Sequence, residues 1–163
     1  MDYDYSVDSN ILNDGAQISG LLHLVYVGGG YTDADLAKKL FEPASVFERG
    51  LIFTVRESNQ NEIVGVLILV TSESGACRMA KEDEAELQLL AVKPEFRGVG
   101  LARCLIELAI RKAKEMNKSR LLLWTQESMV NARALYEKIG FVPVRDFEQN
   151  GRLFTVYQFS LSS

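Results

Sequence analysis

Apolar positions along the chain switch between a period of two and a period near 3.6, and the switches outline a sheet interleaved with helices. Residues 86–92 read Glu-Leu-Gln-Leu-Leu-Ala-Val, an apolar run with polar side chains at alternate positions, which predicts a largely buried strand. Pro94 ends it, because proline has no N–H to give to a ladder. Beyond, Ala102, Leu105, Ile106, Ala109, Ala113 and Met116 recur at helical spacing, with Glu107 four residues before Arg111 in the favourable order. Cys104 falls on the stripe side of this long helix and is expected in the core.

Upstream, residues 3–7 alternate weakly as a first strand. Residues 11–27 read as one helix with Ile11, Ile18, Leu21, Leu22 and Val25 on its apolar face. Gly28-Gly29-Gly30 reads as a flexible connection. Thr32 or Asp33 caps a second helix that runs to about Phe41 and stops at Pro43. Residues 51–56 and 62–71 form a hairpin, and the almost wholly apolar 63–70 predicts a central strand.

Downstream, residues 120–125 carry Leu121-Leu122-Leu123-Trp124, a buried strand with Trp124 expected in the core. Residues 131–139 form a short helix ended by Gly140. Residues 141–144 and 153–161 close the sheet around the turn Glu148-Gln149-Asn150-Gly151.

Composition adds bounds. At 163 residues, 47% hydrophobic and 25% charged, the chain is expected to be one domain, 1–163, around one core. No apolar run approaches the roughly 20 residues of a membrane span, and the acidic start is unlike a signal peptide. A cytoplasmic protein is the expectation, with no membrane partner. One histidine and two scattered cysteines, Cys77 and Cys104, predict neither a metal site nor a disulfide framework. Charge is uneven: residues 1–92 hold six Lys or Arg and fifteen Asp or Glu, and residues 93–163 hold twelve and seven. The split, net −9 against +5, fits a solvated surface of chance asymmetry, or a polyanionic ligand in the second half and a cationic one in the first. The basic residues are dispersed among acids, which argues against nucleic-acid binding.

Between the organising strand and its helix lies Arg97-Gly98-Val99-Gly100-Leu101-Ala102. Two glycines in such a turn permit positive φ and close approach of a ligand, and the helix start offers unpartnered N–H groups; a phosphate cradle and a plain tight turn both fit. This segment, preceded by Val92-Lys93-Pro94-Glu95-Phe96, resembles the Arg/Gln-x-x-Gly-x-Gly/Ala signature of the GNAT superfamily of N-acetyltransferases. The stretch from Asn131 through Leu135-Tyr136 to Gly140-Phe141 is similar to a second motif of that superfamily, in the expected order and spacing.

The resemblance implies a mixed α/β fold of GNAT type, with a mostly antiparallel sheet of six to seven strands, about four flanking helices and splayed central strands. It implies acetyl-coenzyme A as donor, a primary amine on a small molecule or peptide as acceptor, and direct transfer through a tetrahedral intermediate. It also implies that main-chain groups of Leu90, Ala91 and Val92 bind the pantetheine arm. Likewise the pyrophosphate is expected on the N–H groups of Arg97, Gly98, Val99, Gly100, Leu101 and Ala102. Asn131 then either bonds the cofactor arm or caps its helix. Glu86 matches a catalytic glutamate of part of the superfamily, as base or amine binder, and its apolar neighbours are expected to raise its pKa. A base is needed because about four in ten thousand alkylamine molecules are unprotonated at pH 7. Tyr136 matches the general acid that protonates the departing thiolate. The acidic first half points to a cationic acceptor, and homodimers are common in the superfamily. A non-catalytic acyl-coenzyme A sensor is the competing reading, although it would need neither Glu86 nor Tyr136.

Overall fold

The computed structural model describes residues 2–7 and 11–162. Strand β1 (Tyr3–Val7) is followed by α1 (Ile11–Leu22), which runs into a π-helical turn at His23–Val27. Then come α2 (Ala34–Leu40), α3 (Pro43–Phe47), β2 (Leu51–Glu57), β3 (Glu62–Thr71) and β4 (Glu84–Val92). A 3₁₀ turn at Pro94–Phe96 leads to α4 (Leu101–Glu115), β5 (Arg120–Gln126), α5 (Val130–Ile139), β6 (Val142–Gln149) and β7 (Arg152–Ser160). The side chain of Ile11, assigned to the first helix face, lies outside those described.

Seven strands form one sheet in the order β1-β2-β3-β4-β5-β7-β6, antiparallel except for β4 against β5. Period-two alternation sends β3 to two cores at once. Val64, Leu67 and Leu69 pack with Leu105, Ile106 and Ala109 of α4, while Ile63, Val66, Ile68 and Val70 pack with Ile18, Leu22 and Val25 of the first helix. Each face of β3 is therefore covered by helices, which is why its sequence is apolar throughout. Gly65 belongs to this packing, because a Cβ there would stand 2.6 Å from Val55 Cγ1 and 3.2 Å from Leu105 Cδ1.

Three local expectations change. The segment 11–27 is not one α-helix: the N–H of Gly28 reaches the His23 carbonyl at 3.2 Å, an i→i+5 bond that widens the last turn. Pro43 does not merely end α2; it begins α3, where its missing N–H costs nothing. Cys104 is exposed, because the buried stripe of α4 runs through Leu101, Leu105, Ile106, Ala109, Ile110 and Ala113 and passes beside it.

Candidate active site

Strands β4 and β5 pair only where Glu84 to Glu86 meet Arg120 to Leu122, and then diverge. Two features of β4 accompany the divergence. Between the pairs Val66↔Ala91 and Ile68↔Gln88, β4 spends one more residue than β3, and Leu89 takes a φ of 56°. A β-bulge of this kind bends its strand and breaks the ladder locally. The result is a cavity of about 930 Å³ passing between the two cores. Leu87, Ile106 and Tyr136 line it from the α4 side, and Tyr26, Phe41 and Leu89 from the other.

Tyr136 sits on α5, 7% exposed, with its ring held against Phe141 and Tyr157 at centroid distances of 6.0 and 6.1 Å. Burial, with Tyr157 adjacent, pushes its phenol well above the ordinary tyrosine value. Tyr26 faces it and is raised for the same reasons, by burial first and by Tyr136 second. The Tyr26 hydroxyl donates to the Leu90 carbonyl at 2.8 Å, inside the bulge. Leu90 lines the cavity, whereas Ala91 and Val92 are buried beside it at 2% and 7% exposure.

Glu86, the expected base or amine binder, lies on β4. It is 0% exposed and is not among the residues that line the cavity. Its Oε1 accepts the N–H groups of Met79 at 2.8 Å and Ala80 at 2.9 Å, and its Oε2 accepts that of Arg78 at 3.1 Å. Gln88 Nε2 donates to Oε2 at 2.7 Å. The carboxylate thus ties the turn at 78–80 to β4, one residue layer behind the cavity-lining Arg78 and Gln88.

The turn at residues 97–102 is exposed up to Gly100, with Gly98 and Gly100 at φ 84° and 91°. No side chain caps α4, and its first bond back into the turn is from the Cys104 N–H to the Gly100 carbonyl, 3.1 Å. The N–H groups before Cys104 therefore project without an intrahelical acceptor, which suits pyrophosphate oxygens. A Cβ at either glycine would meet nothing within 4 Å, so the glycines serve backbone conformation rather than packing. Arg97 Nε donates to the Val92 carbonyl at 3.0 Å, which ties the turn to the end of β4. Asn131 is exposed and lies inside α5, whose N-cap is Met129, so capping is not its role.

Several cavity residues carry no motif. Arg49 Nη1 donates to Gln88 Oε1 at 2.7 Å. Trp124 lines the cavity instead of the core, with the Arg78 guanidinium 5.9 Å above its ring. The charged lining is Arg49, Arg78 and Arg152 against one carboxylate, Asp33. Two other acids of the first half are engaged away from it: Asp14 pairs with Arg56 at 2.7 Å, and Asp4 accepts from Ser58. Among the described residues no three His, Cys, Asp or Glu side chains gather as a metal site, and no helix is long and apolar enough to cross a membrane.

Comparison with known proteins matches residues 20–141 to the acetyltransferase (GNAT) family. An uncharacterized N-acetyltransferase of Escherichia coli, YjgM, is 37% identical over 116 residues, covering 69% of this chain and 63% of that protein. A ribosomal protein bS18-alanine N-acetyltransferase of Haemophilus influenzae is 37% identical over 103 residues, 63% of this chain and 62% of its own length. The chain thus spans less than two thirds of either relative. In fold, a GNAT-family acetyltransferase of Staphylococcus aureus superposes with a TM-score of 0.77 at 15% identity, over 98% of this chain and 100% of its own. A PaiA N-acetyltransferase of Thermoplasma acidophilum in complex with coenzyme A gives 0.75 at 13% identity, over 98% and 100%.

Proposed function

The chain belongs to the acetyltransferase (GNAT) family, and from that premise we propose that it moves an acetyl group from acetyl-coenzyme A to a primary amine by direct attack. The observation that carries this reading is the parting of β4 from β5 at Glu86, which opens a passage between the two faces of the sheet. A donor laid across one face and an acceptor approaching from the other would meet at the bulge. Acetyl-coenzyme A would supply the electrophilic thioester carbonyl and leave as thiolate.

The residues divide the work by chemistry. Main-chain N–H groups of residues 97–102 hold the pyrophosphate, and main-chain groups of Leu90 to Val92 hold the pantetheine arm. An N–H from that bulged strand polarises the thioester oxygen, a contribution of about 3 kcal/mol in such sites. Tyr136 donates its hydroxyl proton to the departing sulfur, and the proton that the acylated nitrogen sheds as the amide forms restores the phenol. Its raised pKa means that the phenol is fully protonated when the thiolate forms. Glu86 acts by fixing residues 78–80 and orienting Gln88, not as the proton acceptor. The amine loses its proton to solvent, so log kcat/KM is expected to follow the acceptor's own pKa. The cationic acceptor anticipated from sequence is not part of this reading, because the cavity lining holds three arginines against a single one of those acids, Asp33.

A thiol-release assay with acetyl-coenzyme A over a panel of amines tests the proposal. Stoichiometric thiol and N-acetyl product are expected. Tight coenzyme A binding with no amine-dependent release would leave only a binding module.

A further inference from the structure

Arg49 is the one residue among those described with a buried side-chain nitrogen, Nε, that has no hydrogen-bond partner. It reaches the cavity from the segment between α3 and β2. Gly50 lets the chain cross β3 there, since a Cβ would stand 2.2 Å from the Leu69 carbonyl oxygen. The guanidinium is fixed from behind. Gln88 gives its amide N–H groups to Glu86 Oε2 at 2.7 Å and to the Ala76 carbonyl at 3.0 Å, which leaves Oε1 facing Arg49 Nη1 at 2.7 Å. With Nη1 so held and Nε buried without an acceptor, the guanidinium stands at the cavity wall with no carboxylate of this chain to neutralise it. Arg78 stands near enough that the two cations repel, and Arg49 is held below its usual pKa by burial and by Arg78. Neither arginine forms an ion pair with a carboxylate among the described residues.

We propose that Arg49 and Arg78 form a carboxylate site at the acceptor end of the cavity, so that the acceptor is an amine that also carries a carboxylate, as a free amino acid does. The inference rests on the acetyl-transfer reading above for the amine, but the anion site stands on the arginines alone. An arginine edge presents two parallel N–H groups that match two carboxylate oxygens, whereas a lysine would present a point charge. Arg49 and Gln88 lie on the α1–α3 face beside the bulge, and Tyr136 packs in the core of the opposite face. A carboxylate bound at Arg49 would leave the amine of the same molecule free to point toward the thioester. The Arg97–Ala102 turn lies outside the cavity lining, so the two anion sites are separate places on the molecule.

The test compares amino acids with their own carboxamides, such as methionine with methioninamide and phenylalanine with phenylalaninamide. The carboxamide amine is the weaker base and so more available at neutral pH; any preference for the acid runs against intrinsic reactivity. Turnover is followed by thiol release. Binding is followed separately through fluorescence of Trp124, the single tryptophan, in the presence of coenzyme A. The expected result is a KM and a Kd for the acid at least tenfold below those for the amide. Arg49→Gln should close that gap to within twofold, and Arg49→Lys, which keeps charge but not the fork, should recover it only in part. Tighter binding of acids with no thiol release from any amine would uphold the carboxylate site and sink acetyl transfer. Equal binding of acid and amide by the parent protein, or none of either, overturns the carboxylate site whatever the variants do. So would phosphoethanolamine binding more tightly than every acid, which would assign the arginines to phosphate.

Discussion

Tyr136 and Glu86 are both buried polar side chains, yet only one faces the cavity, and that difference sets what each substitution should do. Tyr136 has its folded-state pKa raised by burial, so the phenol is neutral throughout the working range. The sign follows: its stabilising contribution is complete below about pH 10, the unfolded value, and is lost as pH rises beyond it. Activity should therefore show no loss from Tyr136 ionisation below about pH 10. Tyr136→Phe keeps the ring contacts and removes the proton. A fall in kcat of about 10²–10⁴ is expected, with coenzyme A affinity unchanged by calorimetry. A kcat within twofold of the parent, with chemistry rate-limiting, would reduce Tyr136 to a packing residue. Glu86→Gln should behave in the opposite way. Its new amide N–H₂ would confront the N–H groups of residues 78–80, at a cost of about 3 kcal/mol in urea unfolding, while kcat per folded molecule stays within tenfold. Unchanged stability with a hundredfold lower kcat would restore Glu86 as the base.

At the scale of elements, the organising unit is β4, the glycine turn and α4. The strand was legible because apolar runs stopped by proline leave few alternatives, and the helix because its stripe holds over four turns. The bulge was not, since Leu89 is an ordinary leucine and its φ of 56° is imposed by pairing with β3. In the turn, Gly100 holds φ 91° at the N-cap of α4. Gly100→Val meets open space, yet a β-branched residue in that region is strained by at least about 1–2 kcal/mol. The strain would rotate the N–H groups away from the pyrophosphate. Calorimetry on the folded variant should show coenzyme A affinity reduced at least tenfold; an unchanged affinity would move the cofactor elsewhere. The π-turn at His23–Val27 had no signal either. An extra residue per turn is a tertiary accommodation, and here it accompanies the Tyr26 hydroxyl bond to Leu90.

At the scale of the whole molecule, two cores lie on the two faces of the sheet, and the sheet is open where β4 leaves β5. A ligand filling that opening should couple the cores. Coenzyme A at about a hundred times its Kd should add about 2.7 kcal/mol to stability, or roughly 5–10 °C in melting temperature. A melting temperature unmoved by millimolar coenzyme A would contradict binding in the opening. Sequence by itself determined the succession of strands and of the longer helices, the two-sided burial of β3, the family motifs at Arg97–Ala102 and Asn131–Phe141, and Tyr136 as a candidate. These are local: each rests on periodicity, a proline, a glycine, or a spacing within a dozen residues. Only the tertiary structure decided that Glu86 serves a loop, that Trp124 and Gln88 line a cavity, and that Arg49 and Arg78 are neighbours there. Those residues come from two loops and two strands, and no period links them. Their chemistry follows from which lone pairs and N–H groups packing leaves unpartnered, a property of the assembled fold that linear order does not carry.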